Sequence, residues 1–361
     1  MKKAKNKNIS SKHSLPLSGV YPDKRGREGI KERDDIRHIF NAFNKLNVLI
    51  IGDVMIDAYM WGDVNRISPE APVPIVSIIK KENRLGGAAN VALNIQAMGA
   101  NPILCSVVGN DDSSKLFSDL LKKQQLTTKG ILNSKNRITT IKTRVIGANH
   151  QMLRVDEEIE TNLNNKEIKA LTIRIKKLAI SEKADIIIFE DYDKGCITPE
   201  LIKDIVAFSH QKNIPVVVDP KKRNFMHYNG VTMFKPNLKE LKEGLKLDFD
   251  PENNTELEKI ASEFIEKQNI NTLLITLSDK GIYTHSLHVK KIIPAHVRNI
   301  SDVSGAGDTV ISIAALCLAL KLSPVITATL ANLAGGLVCE KVGVVPVDKK
   351  QLLKEAILLK L

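Results

Sequence analysis

The sequence predicts an α/β chain with a mostly parallel central sheet, helices on both faces and a small β-strand lid at one side. Three observations carry this expectation. Short apolar runs such as Asn47–Asp53 alternate with stretches of helical periodicity, and strands covered on both faces read in that way. Several runs stop at an acid or a hydroxyl: Asp53, Asp191, Asp219 and Ser278. Two segments, 58–83 and 137–156, are rich in β-formers and hold no helix long enough for a crossover, so they are read as lid strands.

Along the chain, the first 37 residues hold eleven Lys and Arg against five acids, half of the formal net charge of +12, with no apolar periodicity. Residues 1–40 are therefore expected to be a disordered basic tail, solvated and dispensable, with one domain over 41–361. Neither nucleic acid nor a membrane is expected as a partner. The run 47–53 is the first buried strand. Residues 86–99 follow as a helix, 101–109 as a strand, and 111–125 as a helix with acids at its start. A hairpin is expected around Gly147–Asn149. Residues 185–191 and 215–220 are further buried strands, with a helix from about Pro199 to Lys212 between them. Leu257, Ile260, Ala261, Phe264 and Ile265 mark one face of another helix, and 272–278 is a strand. Met60 and Trp61 read equally as lid, dimer or core contacts. Ligands of such sheets sit beyond the carboxyl ends of the strands.

Cys105, Cys196, Cys317 and Cys339 are far apart and show no metal-ligand or disulfide spacing. Isolated thiols in apolar surroundings suit a reducing cytosol, so a cytoplasmic location is expected. Thr309–Leu320 is apolar but too short to span a bilayer and reads as a buried helix.

The stretch D-V-S-G-A-G-D at 302–308 raises the question of chemistry. Gly305, Ala306 and Gly307 let a backbone approach an anion closely, and a helix start offers free N–H groups and a favourable dipole. A carboxylate there, Asp308, would repel an anion. It makes sense if it takes a proton from a nucleophile that attacks a phosphoryl group, while the amides hold the charge that develops. An ordinary first-turn aspartate in a tight turn fits this stretch equally well.

Further motifs favour the chemical reading. G-G-A-A-N-V-A begins at Gly86, and Gly99 and Gly109 follow. Together with 302–308, this resembles the two signature motifs of the ribokinase-like (PfkB) carbohydrate kinases, over about residues 44–350. The resemblance implies a ribokinase-like fold that uses ATP and Mg²⁺, with a monovalent cation as a further cofactor. It implies Asp308 as the base and the amides of Gly305, Ala306 and Gly307 around the transferred group. Asp53, Asp57, Gly86, Gly87, Asn90, Arg144, Arg154 and Asp191 would bind the sugar. K-P-N-L-K-E at 235–240 looks like the family's N-x-x-E motif, giving Asn237 and a Glu240 that supports Mg²⁺ through water; the pair also reads as a helix cap. T-L-S-D-K-G at 276–281 resembles the nucleotide-binding strand end, giving Thr276, Ser278 and Gly281.

Within the family, N-R-I-S-P-E-A-P-V-P at 65–74 and I-K-T-R-V-I at 141–146 resemble the branch that phosphorylates D-glycero-β-D-manno-heptose 7-phosphate at its anomeric hydroxyl, in ADP-heptose biosynthesis. That branch usually reads S-D-Y-G-K-G where this chain has Glu190-Asp191-Tyr192-Asp193-Lys194-Gly195. Arg66, Arg84, Lys142, Arg144 and Arg154 are the lid cations available to a distal phosphate. A homodimer through the lid is expected. The histidine-rich motif of the nucleotidyltransferase half of the two-domain synthases is not present in the sequence. A non-catalytic member of the fold, another sugar or nucleoside kinase, and a dinucleotide oxidoreductase are the alternatives. The last is set aside because the first strand lacks G-x-G-x-x-G.

Overall fold

A computed structural model describes residues 35–148, 150–250 and 253–361. The basic residues 1–34, and with them most of the expected tail, lie outside the described residues. The elements run α1 (Ile36–Phe43), β1 (Asn47–Gly52), β2 (Val54–Ile67), β3 (Pro74–Gly87), α2 (Ala88–Ala97), β4 (Asn101–Gly109), α3 (Asp112–Lys123) and β5 (Gly130–Ser134). They continue with β6 (Ile141–Gly147), β7 (His150–Glu157), α4 (Asn165–Ser181), β8 (Ile186–Glu190), α5 (Pro199–Lys212), β9 (Val216–Asp219), β10 (Met233–Phe234), α6 (Leu238–Leu245) and α7 (Asn254–Gln268). The last are β11 (Thr272–Thr276), β12 (Ile282–Ser286), β13 (Lys290–Ile293), α8 (Ala306–Ala319), α9 (Pro324–Cys339) and α10 (Lys349–Leu358).

Nine strands form the central sheet in the order β13-β12-β11-β10-β9-β8-β1-β4-β5. It is parallel from β5 to β11, and β12 and β13 add antiparallel strands at one edge. The fold is thus the ribokinase-like α/β arrangement with a mostly parallel sheet. The period of two along a strand divides the core. In β1, Val48 and Ile50 join the cluster under α1, α2, α8, α9 and α10, while Leu49 and Ile51 face α4, α5, α6 and α7. Every one of these four is fully buried, which explains why the run shows no polar alternation.

The lid is a second sheet, β3-β2-β6-β7. Only Asp53 separates β1 from β2, so the chain leaves the main sheet directly into the lid and returns through Gly86 and Gly87 into α2. Gly87 has φ +60, and a Cβ there would lie 2.5 Å from the Asp53 carbonyl oxygen. Only glycine fits that return. The expected helix over 86–99 is therefore shorter, because both glycines belong to the strand end. Trp61 stacks on Tyr59 within the lid, with ring centroids 6.1 Å apart.

The domain starts earlier than residue 41. Ile36, Ile39, Phe40 and Phe43 form one apolar face of α1, all buried against the core, with Asp35 capping the helix. The spacing of these four residues carries the face in the sequence, and a deletion of residues 1–37 would remove both the cap and Ile36. Phe43→Ala is expected to cost about 3–5 kcal/mol, read from urea unfolding. A change below about 1 kcal/mol would show that α1 is peripheral.

Candidate active site

Asp308 lies in the first turn of α8, buried. Asn90 of α2 donates to its Oδ2 at 2.7 Å, and the Tyr192 hydroxyl donates to its Oδ1 at 2.8 Å. Gly305 precedes the helix in the left-handed region, φ +79, and a Cβ there would stand 3.0 Å from the Asn90 amide nitrogen. No side chain caps α8; the Ala306 amide donates to the Val303 carbonyl, while the amides of Gly307 and Asp308 have no acceptor among the described residues. The small-residue turn and the acid inside it are thus both built as the sequence suggested. Burial pushes the Asp308 carboxyl above its ordinary value, and the charge of Asp219 adds to this against the two hydrogen bonds.

A band of charge runs from this turn to the edge of the sheet. Lys235 bonds Asp219 at 2.8 Å, and both are buried. A Cβ on Gly307 would lie 3.7 Å from the Asp219 carboxylate and 3.8 Å from the Lys235 ammonium, so this pair sits under the start of α8. Lys221 pairs with Glu240 and lies 3.9 Å from Asp219. Asn237 and Glu240 form a reciprocal capping box on α6, with both bonds at 2.8 Å. The cap reading is therefore present in full, with one Glu240 oxygen committed to Asn237. Asn237 also bridges to Thr276, and the Thr276 amide donates to the Pro236 carbonyl. Beyond it, Ser278 has φ +57 and Gly281 φ +95, where a Cβ would strike the Ile293 carbonyl oxygen at 2.0 Å. The T-x-S-x-x-G stretch is thus a tight turn beside the charged band.

On the lid side, buried Asp57 pairs with Arg144 at 2.6 Å. A Cβ on Gly86 would stand 2.1 Å from the Asp57 carboxylate, so that glycine makes room for the acid. Register places Asp57, Tyr59, Arg84, Lys142, Arg144 and Arg154 on one face of the lid. Arg84 and Arg144 lie over the Tyr59 ring, and Arg84 reaches the Val344 carbonyl of the main domain. This face looks onto the domain.

Three of the residues expected to bind the sugar have protein partners in this structure. Asp53 accepts from the amides of Tyr192, Lys194 and Cys196, so its oxygens anchor the loop that carries Tyr192. Asp191 accepts from Asn224, Tyr228 and the Asp193 amide, and it is buried beneath the same loop. Arg154 is half-exposed on the far strand of the lid and pairs with Asp156. Lys142 is engaged with Asp156 and Glu158. Asp193 takes φ +56, which accounts for the glycine that the related branch has there and which aspartate tolerates.

Reasoning from sequence missed Lys221, Lys235 and Tyr192 as site residues. Lys235 stood inside the quoted motif, before a proline, where a lysine reads as surface. No group of three or more His, Cys, Asp or Glu able to hold a metal directly occurs among the described residues.

A family model described as pfkB family carbohydrate kinase matches residues 45–350. A bifunctional protein HldE from Desulfatibacillum aliphaticivorans is 38% identical over 318 residues, which are 87% of this chain. One from Campylobacter jejuni is 40% identical over 311 residues, 86% of this chain. The chain spans 64% of the length of each of these relatives. Among solved structures, phosphofructokinase-2 from Escherichia coli aligns with TM-score 0.72 at 15% identity, covering 88% of this chain and 99% of that one. A ribokinase from Arabidopsis thaliana aligns with TM-score 0.65 at 15% identity, covering 86% and 98%.

The buried pair under α8 gives a direct test. Lys235→Met removes the close partner of Asp219 and leaves only Lys221 at 3.9 Å, at a cost of about 3 kcal/mol in urea unfolding. Adding Asp219→Asn should recover most of that loss. Equal stability of Lys235→Met and wild type would mean that the pair is not closed in solution.

Proposed function

The chain belongs to the pfkB family of carbohydrate kinases, and from that premise we propose that it transfers the γ-phosphoryl group of ATP to the anomeric hydroxyl of D-glycero-β-D-manno-heptose 7-phosphate, giving the 1,7-bisphosphate. The observation that carries the transfer step is the buried carboxylate of Asp308, aimed by Asn90 and Tyr192 at the start of an uncapped helix. Asp308 takes the proton of the attacking hydroxyl as the new P–O bond forms and the bond to ADP breaks. The first-turn amides of α8 and the buried Lys235 then face the charge that spreads over the transferred group. Glu240 would hold Mg²⁺ through water, and the ion would offset the negative charge of the phosphates. The Thr276–Gly281 turn would hold the nucleotide. A monovalent cation belongs to the proposal as a further cofactor; the phosphofructokinase-2 structure is described in complex with potassium.

The sugar end rests on the lid. Asp57 can accept two hydroxyl hydrogen bonds, and the Oδ1 of Asn90 is buried with no partner among the described residues, open to a further hydroxyl. Arg84 and Arg144 face the domain and supply bidentate donors for a distal phosphate. Arg66 and Arg154 lie farther out. The heptose assignment draws on the likeness to the HldE relatives and on the motifs at 65–74 and 141–146. A homodimer through the lid is part of the same proposal. Leu153 and Val155 alternate with Arg154, so they line the opposite face of the lid, and both are exposed. No helix among the described residues is long and apolar enough to cross a membrane. The four free thiols, all buried, suit the cytoplasmic location proposed here.

Three outcomes are expected. Asp308→Asn should lower turnover by about 10²-fold or more with nucleotide affinity retained, and near-normal turnover would sink the base assignment. In the wild type, Asp308 must be ionised to act. Because its carboxyl titrates above the ordinary 3.8, kcat should fall as pH drops through that raised midpoint. Finally, Gly86→Ala should push Asp57 aside and raise KM for the sugar more than for ATP. If heptose 7-phosphate and unphosphorylated sugars are used equally well, the heptose assignment fails and a pfkB sugar kinase of other specificity remains.

A further inference from the structure

Glu190 ends β8 where the related branch has serine, and it is a buried acid in the middle of the charged band. It pairs in register with Asp219 on the neighbouring parallel strand, so both side chains leave the sheet on the same face. Ile186 and Ile188 show which face, since they pack in the cluster under α8. The groups around Glu190 are Asp219 at the end of β9, Lys221 in the loop after it, Lys235 beyond β10, Asp308 of α8, and Tyr192, whose ring also feels the Glu190 charge. On the β1 side, Asp53 turns its carboxylate to the 192–196 amides, away from this group.

The donors here are already assigned. Lys235 is on Asp219, Lys221 is on Glu240, and the Tyr192 hydroxyl is on Asp308. The Oε2 of Glu190 is buried and has no hydrogen-bond partner among the described residues. A carboxylate in that position would lack both a counter-charge and a donor, which costs several kcal/mol. Four carboxyls, Asp219, Glu190, Glu240 and Asp308, share two ammonium groups, and a fully ionised set would meet the incoming phosphates with excess negative charge.

We propose that Glu190 is a positioning residue that carries a proton in the nucleotide-binding form of the protein, so that Asp308 and Asp219 stay ionised without making the pocket repel phosphate. Its direction of titration agrees: burial raises the carboxyl well above its ordinary value, and the charges of Asp219 and Asp308 raise it further, against Lys235 and Lys221. A serine at 190 never poses this problem; the glutamate makes nucleotide affinity fall as pH rises through its own titration. The inference rests on the reading that phosphates enter at the start of α8, but not on the identity of the sugar.

The experiment is the Kd of Mg·ATP for the full chain against pH, by calorimetry without sugar, for wild type, Glu190→Gln and Glu190→Ser. The ratio of wild-type to variant Kd should grow by about tenfold across the Glu190 titration and then level, the size of a like charge several ångströms from a phosphate at a partly buried site. A ratio that is flat or falls with rising pH overturns the proposal. Glu190→Ser covers the case in which glutamine does not fold. Infrared difference spectra of wild type against Glu190→Ser at neutral pH should show the carbonyl stretch of a protonated carboxyl, and finding only ionised carboxylate bands also overturns it. If the Kd trend holds but heptose 7-phosphate is not phosphorylated, the function proposed above fails and this inference stands.

Discussion

The hydrogen bond from Asn90 to Asp308 is the constraint on which the rest of the site depends. It spans 2.7 Å and joins α2 to α8, helices separated by more than half the chain. Asn90 is three residues past Gly87, where the lid strand turns back into the domain, so the bond links the base of the lid to the carboxylate of Asp308. It forms only because both helices approach closely. Ala88, Ala89 and Ala92 line α2 and are fully buried, and Thr309 of α8 reaches Asn94 at 3.2 Å. A larger residue at Gly305 would press on the Asn90 amide itself.

The opposite side of Asp308 is set by a loop rather than a helix. Asp53 and Asp191 use their carboxylates to shape residues 191–196, and that loop delivers the Tyr192 hydroxyl. Two acids that read as substrate ligands in the sequence thus have their oxygens engaged by this loop. The site separates two kinds of carboxylate by this means. Asp53 and Asp191, each with three donors, shape the loop, while Asp308, Asp219 and Glu190 are buried near the two lysines Lys221 and Lys235.

Much of this was legible in the sequence because its signals are local. Apolar runs gave β1, β4, β8, β9 and β11, and the bounds of β4 and α5 match closely. Glycine motifs located the lid return and the α8 turn, since both need backbone that only small residues allow. What was missed depends on contacts distant in sequence. The register pairing of Glu190 with Asp219 and the burial of Lys235 need the assembled sheet. Two omissions did carry local signals: the spacing of Ile36, Ile39, Phe40 and Phe43 marks α1, and Asn164 with Glu167 forms the capping box of α4. The lid cations show the limit most plainly. Sequence offered five arginines and lysines, but only the assembled lid shows that Arg84 and Arg144 lie over the Tyr59 ring, paired with Glu82 and Asp57, while Lys142 and Arg154 pair with Asp156 farther along the same face.

The central claim is that this pocket moves a phosphoryl group from ATP to the anomeric oxygen of a sugar phosphate. Phosphorus NMR of a reaction containing the protein, Mg·ATP and D-glycero-β-D-manno-heptose 7-phosphate tests it most directly. The account predicts that ATP signals give way to ADP together with a new phosphate resonance coupled to the anomeric proton, in equal amounts and beside an unchanged distal phosphate. ADP formed with free inorganic phosphate alone, or a new phosphate on any other carbon, would contradict it.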